Sequence, residues 1–340
     1  MSTFLITGGA GFIGSHLAKS LIAKGLCVCV VDIAQEDWNS ANFDELAALG
    51  AVCVREDINC ATGIQKILDT FNPAGVYHLA AVSHVDHSIK NPASCLYNNV
   101  QGTKVLLEEV TRYWYKNDKF PEFRLLYCST DEVYGSCSLD LEDVFVETRP
   151  IKPSNVYAAS KAAAEHLCTA WHNTYKLPIV VTRSSNNYGP HQGLDKFVPL
   201  TIGSCIKRTP IQIHGDGSNI RNWIYVKDCV AAIIAAFNDG KEGEIYNIGG
   251  GADTEYTNLT MALHICDVYD RLKSGNAGDG DDPSRHLIQF VADRLGNDLR
   301  YSVDTTRIFE LSKWLPQTSM ATGLATTVEW YINNPIYHTL

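Results

Sequence analysis

TGGAGFIG, residues 7–14, is the stretch whose reading decides the fold. Gly8, Gly11 and Gly14 stand in the spacing G-x-x-G-x-x-G, directly after the apolar run FLIT (4–7) and directly before residues 12–24, whose apolar positions recur at helical spacing. A glycine turn between a strand and a helix lets the backbone approach a pyrophosphate, and the helix N-terminus then faces the negative charge. Outward from the turn, VCVVD (28–32) reads as a second strand ending on Asp32, 18 residues beyond Gly14. An acidic side chain there accepts both ribose hydroxyls of NAD and repels a 2′-phosphate. No Arg or Lys stands between Asp32 and Arg55, so NAD is expected rather than NADP.

AVCVRED (51–57), GVYHLAA (75–81), RLLYCST (124–130) and PIVVTR (178–183) continue the strand series, with helices expected at 93–116 and 156–171. Strands that are continuous apolar runs separated by helices predict an α/β fold, a doubly wound parallel sheet covered on both faces. Asp57 and Ile58, at the end of the third strand, are placed to edge an adenine. After residue 183 the segments shorten: helices near 195–207, 226–238 and 257–272, and strands at 211–214 and 244–249. SGNAGDGDDPSR (274–285) reads as an exposed mobile loop. The expected organisation is a cofactor domain of residues 1–183 with a returning segment of about 225–250, and a smaller mixed α/β substrate domain in the remainder of 184–340.

Composition sets bounds. The chain has 340 residues, 45% hydrophobic and 19% charged, which excludes disorder and permits a full core. A net charge of −10 argues against nucleic acid as a partner. No apolar run is long enough to span a membrane, and MSTFLITGGAGFIG lacks the basic region and cleavage site of a secretory signal. Eleven cysteines, an odd number with no C-x-x-C pair, read as reduced thiols of a cytoplasmic protein. His78, His84 and His87 lack a fitting carboxylate or cysteine mate, so no metal is expected.

Tyr157 and Lys161 form Y-x-x-x-K, which on a helix places both on one face about 6 Å apart. The ammonium is expected to lower the tyrosine pKa, making Tyr157 a base for a sugar hydroxyl. With TGGAGFIG, HLAAVSHVD, STDEVYG, YAASK, RSSNNYGP, GDGSNIRNWIYVKD and EIYNIGG in order over about residues 3–335, the chain resembles the extended short-chain dehydrogenases/reductases with their Rossmann sheet. STDEVYG narrows the resemblance to the nucleotide-sugar 4,6-dehydratases.

That resemblance implies dehydration of a nucleoside-diphosphate hexose to its 4-keto-6-deoxy derivative, with tightly held NAD that is reduced and reoxidised. Thr130, Asp131 and Glu132 join Tyr157 and Lys161 as the catalytic set, Asp131 as acid at the C6 hydroxyl and Glu132 as base at C5. Adjacent residues of a regular strand face opposite ways, so both carboxyls serve one sugar only where the strand has already ended. Phe12, Ile13, Leu79, Ala80, Ala81 and Asn187 are assigned with the glycines to the cofactor, which Tyr157 and Lys161 also touch. Ser83, Thr130, Asn186, Lys196, Phe197, Arg221, Asn247 and Arg294 are assigned to the nucleotide sugar, with Arg221 as a phosphate clamp.

The chain departs from the family pattern in DRLGNDLR, where Leu295 and Asn297 replace the usual Pro and His, in Asn222 of NIRNW, in IAQEDW after Asp32, and at Val82. These leave the nucleobase (UDP or dTDP) and the sugar open. A homodimer through a four-helix bundle of the two long helices is implied by the family. The alternatives are a 4-epimerase or a UDP-glucuronate decarboxylase of the same family, against which the acidic pair argues, and a catalytically inactive NAD-binding regulatory module, which would be expected to lack Tyr157 or Lys161.

Overall fold

The structure is a computed structural model that describes residues 2–274 and 283–335; most of the expected loop 274–285 lies outside the described residues. Twelve strands form among the described residues: β1 (Thr3–Thr7), β2 (Cys27–Asp32), β3 (Val52–Arg55), β4 (Gly75–His78), β5 (Arg124–Thr130), β6 (Ile179–Ser184), β7 (Asn186–Tyr188), β8 (Ile211–His214), β9 (Ile220–Tyr225), β10 (Ile245–Ile248), β11 (Glu255–Thr257) and β12 (Ile288–Val291). Seven make one sheet in the order β10-β6-β5-β4-β1-β2-β3, every neighbour parallel.

The apolar runs decide this arrangement because both faces of each strand are covered. Ile6, Val30, Tyr77, Leu126 and Val180 pack on one face, against Leu17, Leu21, Ile233 and Phe237 from the helices Phe12–Ala23 and Val226–Asp239. Their chain neighbours Leu5, Cys29, Val31, Val76, Leu125 and Val181 pack on the other, against Ile64, Leu68, Leu106, Val110 and Cys168. The alternation is the strand pleat, and a residue of each parity finds an apolar partner.

A third core lies beyond the sheet, where the helices Phe197–Lys207, Asn258–Ser274 and Met320–Asn333 meet around Ile202, Trp223, Met261, Ile265 and Leu324. β9 pairs with β7 and β11 there, and β8 with β12. β10 lies at the edge of the main sheet, beside β6, with Ile245 opposite Val181.

Two expectations are corrected. The helix expected over 93–116 is interrupted: Pro92–Leu96 leads into a π turn, Tyr97–Gln101, and then Gly102–Lys116. Asn99 in that turn accepts from Val82 N (2.7 Å) and donates to Val82 O (3.0 Å) and Ser160 Oγ (2.8 Å), anchoring the chain after β4. The third and fourth strands stop at Arg55 and His78, so Asp57, Ile58 and Leu79–Ala81 belong to the turns that follow them.

Among the described residues, His16 and His78 are buried and His191 half-buried, all as neutral rings. His78 lies between the hydroxyls of Thr7 (2.7 Å) and Thr103 (2.9 Å), and His16 meets Pro190 O at 2.9 Å. Desolvation lowers His16 to about 4 and His78 and His191 to about 3. Unfolded histidine takes a proton near 6.5, so between there and 3–4 the unfolded state binds more protons and stability falls as pH falls. Each ring removes about 1.4 kcal/mol per pH unit in that window. Asp131, Glu132 and Asp32, raised by desolvation, act in the opposite sense and soften the fall. Thermal melts at pH 7, 6 and 5 are expected to show a falling Tm; a Tm level down to pH 5 overturns the assignment of neutral rings.

Candidate active site

The glycine turn is built by sterics. Gly8 has φ +69°, and a Cβ there would lie 2.5 Å from Ala80 N; a Cβ on Gly14 would lie 2.2 Å from Gly8 O. Strand, turn and helix therefore approach more closely than any side chain permits. Gly11 caps the helix Phe12–Ala23, whose N-terminus opens on a cavity of about 510 Å³ at the C-terminal ends of the main-sheet strands. That end is where open α/β sheets bind ligands.

Gly8, Gly11, Phe12, Ile13, Gly14, Asp32, Asp57, Ile58, Leu79, Ala80, Ala81 and Asn187 all line this cavity. Asp32 is fixed by two backbone donors, Ala10 N to Oδ2 (3.0 Å) and Ala34 N to Oδ1 (2.9 Å). Burial raises its pKa, and those N–H groups pull against the rise.

β5 ends at Thr130, and Asp131–Tyr134 form a 3₁₀ turn. Thr130 Oγ1 caps it, accepting from Glu132 N at 3.3 Å. Because the strand has ended, Asp131 and Glu132 escape strand alternation and both line the cavity. Asp131 is 2% exposed. Its Oδ1 accepts from Thr130 Oγ1 at 3.4 Å, and its Oδ2 has no hydrogen-bond partner among the described residues. Burial first, and the neighbouring Glu132 second, hold Asp131 well above the usual carboxylate range, which favours its protonated form. Burial also raises Glu132, against the pull of a hydrogen bond from Asn155 and the charges of Arg221 and Lys196.

Tyr157 and Lys161 lie one turn apart on the helix Val156–Tyr175, which Asn155 caps through Ala158 N (2.8 Å). Both line the cavity. Lys161 Nζ donates to Cys128 O at 2.5 Å and lies 4.3 Å from the centre of the Tyr127 ring. Burial pulls Lys161 down to about 8. The expectation that Lys161 depresses Tyr157 is corrected: burial, then Glu132 and Asp131, hold the phenol above its ordinary value, and a hydrogen bond with Thr130 pulls the other way. Burial is the largest of these influences, and the Lys161 ammonium donates to the Cys128 carbonyl.

On the far side of the cavity stand Ser83, Asn186, Lys196, Phe197 and Arg294. Lys196 Nζ donates to Ser83 O (2.7 Å) and pairs with Asp195 (3.5 Å), and Arg294 pairs with Asp86 (2.9 Å). Two assigned residues do not line the cavity. Asn247 is fully buried; its Oδ1 accepts from Tyr134 OH (2.8 Å) and its Nδ2 donates to Phe145 O (2.8 Å), so its amide is consumed in packing. Arg221 donates to Ile220 O, Asn297 Oδ1 and Asp298 O and lies over the Tyr301 ring at 4.3 Å. Its charge still reaches Asp131 and Glu132, lowering both.

Trp38, Gln192 and Trp223, outside the residues expected from the sequence, also line the cavity. Gln192 Oε1 and Trp223 Nε1 are buried without partners among the described residues, as are Asn186 Oδ1 and Asn187 Oδ1. Unspent polar atoms on a cavity wall are matched to a polar ligand. Trp223 stands in the NIRNW motif and Gln192 just after RSSNNYGP, so the motifs carried a signal that was read only for Arg221 and Asn186.

The family model for GDP-mannose 4,6 dehydratase matches residues 5–327. A probable dTDP-glucose 4,6-dehydratase of Sinorhizobium fredii is 40% identical over 97% of this chain and 93% of its own. The dTDP-glucose 4,6-dehydratase of Haemophilus influenzae is 40% identical over 98% of this chain and 99% of its own. DesIV, the dTDP-glucose 4,6-dehydratase of Streptomyces venezuelae crystallised with NAD bound, superposes with a TM-score of 0.85 at 36% identity, covering 98% of each chain. The chain belongs to the GDP-mannose 4,6 dehydratase family, within the extended short-chain dehydrogenases/reductases.

Proposed function

We propose that this protein is an NAD-dependent hydro-lyase that converts a nucleoside-diphosphate hexose into its 4-keto-6-deoxy derivative. The observation that carries the reading is the acidic pair: Asp131 and Glu132 share one 3₁₀ turn and one cavity with Tyr157 and Lys161. A redox step at C4 alone, as in a 4-epimerase, has no use for two carboxyls.

The residues fit NAD. Side-chain-free Gly8 and Gly14 bring the helix N-terminus up to the cavity, and Asp32 sits at the end of β2, on the cavity wall, to accept ribose hydroxyls. NAD when bound supplies the hydride acceptor at C4 and the hydride donor at C6. The Tyr157 oxygen exchanges a proton with the C4 hydroxyl, and the Thr130 hydroxyl orients it. The rise in the Asp131 pKa weakens its opposition to the phenolate, and Lys161, one helical turn away, adds positive charge to the same wall of the cavity. Glu132 takes the proton from C5, acidified by the 4-ketone, and Asp131 gives its proton to the departing C6 hydroxyl. The water leaves, and the proton on Glu132 returns to C5.

Lys161 has to be an ammonium for this, so kcat/KM is expected to fall as pH rises through about 8. A profile flat to about pH 9.5 overturns that role.

Relatives 40% identical over nearly the full chain act on dTDP-glucose, which supports a dTDP-hexose as substrate. Residues 1–183 with 225–250 form the cofactor domain in this reading, and the remainder the nucleotide-sugar domain; the place of β10 in the main sheet supports it. A homodimer through the two long helices is supported by exposed Leu96, Tyr97, Tyr115 and Tyr175 along them. Eleven free cysteines support a reducing, cytoplasmic setting.

The test is incubation with dTDP-glucose, UDP-glucose and UDP-N-acetylglucosamine, read by mass spectrometry and NMR. Loss of one water is the expected result, with dTDP-glucose preferred. Conversion to the 4-epimer without mass change overturns the dehydratase in favour of an epimerase.

A further inference from the structure

We infer that Asn155 is a positioning residue for proton abstraction, one side chain that caps the Tyr157–Lys161 helix with its oxygen and holds the Glu132 carboxylate with its nitrogen. The inference rests on the dehydratase reading and adds to it a residue outside the catalytic set.

Asn155 Oδ1 accepts from Ala158 N at 2.8 Å, and Asn155 Nδ2 donates to Glu132 Oε2 at 3.2 Å. The orientation of the amide is forced by its neighbours. A backbone N–H only donates, so the oxygen must face Ala158. The NH₂ then points at Glu132 and cannot turn away without breaking the cap. Among the described residues this is the one hydrogen bond the Glu132 carboxyl receives from a side chain. The turn carrying the base and the helix carrying Tyr157 come from different parts of the chain, and this amide registers them to one another.

The residue before it works in parallel. Ser154 Oγ donates to Asp298 Oδ1 at 2.6 Å, Tyr301 OH donates to Asp298 Oδ2 at 2.7 Å, and Arg221 donates to Asp298 O. Glu132 is thus faced by Asp131, Tyr157, Tyr301 and Asp298, which disfavour its charge or share its field, and by Arg221 and Lys196, which favour it. Among these charges Asn155 is the neutral donor in direct contact. It stabilises the ionised, proton-accepting form of the base and fixes the direction of its free oxygen.

Two variants separate this role from helix capping. Asn155→Ser keeps a good capping oxygen but has no donor long enough for Glu132. Asn155→Asp caps equally well and sets a carboxylate against Glu132. For Asn155→Ser the expected result is a Tm within a few degrees of wild type, KM within about twofold, and kcat lower by about tenfold, with the acid limb of the kcat profile moved up by about one pH unit. Asn155→Asp is expected to move that limb further in the same direction. Deuterium exchange at C5 from solvent should slow in step with kcat. A wild type that forms no 4-keto-6-deoxy product overturns the dehydratase reading and this role with it. An active wild type whose acid limb is unmoved in either variant overturns this role alone; should Asn155→Ser prove unstable, Asn155→Asp decides the question by itself.

Discussion

Replacing Glu132 with Gln is expected to lower kcat by about 10²–10⁴-fold, the usual contribution of one acid or base in the transition state. The amide fills the same space beside Asn155 but accepts no proton from C5. Asp131→Asn is expected to fall by a similar factor for the opposite reason. Burial and Glu132 raise the Asp131 pKa and so favour its proton-bearing form, and an amide of that shape is neutral too but has no proton to give to a leaving hydroxyl. Neither change touches Tyr157 or Lys161. Oxidation at C4 therefore proceeds, and adding substrate should leave the cofactor stalled in its reduced form, seen by near-ultraviolet absorbance. Solvent deuterium should enter C5 in Asp131→Asn and not in Glu132→Gln. Near-wild-type turnover in both variants would remove the acidic pair from the mechanism. Removing a buried charge at 132 carries no folding penalty, so a collapse of Tm in Glu132→Gln would indicate packing rather than chemistry.

The second large effect is expected at the glycine turn. Gly8→Ala faces two penalties at once: a left-handed backbone at φ +69°, and a methyl 2.5 Å from the Ala80 backbone. Backbone strain and overpacking each cost about 1–3 kcal/mol. Gly25, at φ +76° with nothing within 4 Å of a Cβ, isolates the first penalty. Gly25→Ala should lower Tm by a few degrees and leave cofactor retention intact. Gly8→Ala should lower Tm further and weaken retention by about 10²-fold, because relief comes only by moving the turn or the segment after β4, both of which line the cavity. Equal behaviour of the two variants, read by cofactor content after gel filtration and by melting, would separate the close approach of Gly8 from cofactor binding.

The main sheet was readable because its strands are apolar on both faces. RLLYCST forms β5 residue for residue, as its apolar pattern predicts, and 211–214 likewise forms β8. β9 was not read, since Ile220–Tyr225 carries Arg221 and Asn222 in its interior. Both are buried by bonds made far along the chain, Arg221 to Asn297 and Asp298, and Asn222 to Gly251. No local pattern announces such partners. In the helix Asp37–Ala48, DWNSANFDELAA, three of the six apolar residues are alanines, so the pattern is weak; Phe43 and Leu46 enter the main core and Trp38 packs against the third. In the site, the glycine turn, Asp32, the acidic pair and the Tyr157–Lys161 helix were legible as spacings. Arg221 and Asn247 were not, because their chemistry is set by what else competes for their hydrogen bonds. Asn155 was unread for the same reason: a cap and a carboxylate clamp look alike until Glu132 is seen beside it.

The seventh strand of the main sheet bears on biosynthesis. β10 enters beside β6 only after the chain has left to form β7 to β9. Until Ile245–Ile248 has emerged from the ribosome, β6 is an uncovered edge whose residues Ile179–Arg183 are destined for burial. An open apolar edge recruits strands from other chains. A fragment ending near residue 183 is then expected to aggregate, whereas one extended beyond residue 248 gains the strand that seals the sheet. The nascent chain is most vulnerable during the synthesis of these roughly sixty intervening residues, about 3–12 seconds at the usual elongation rate.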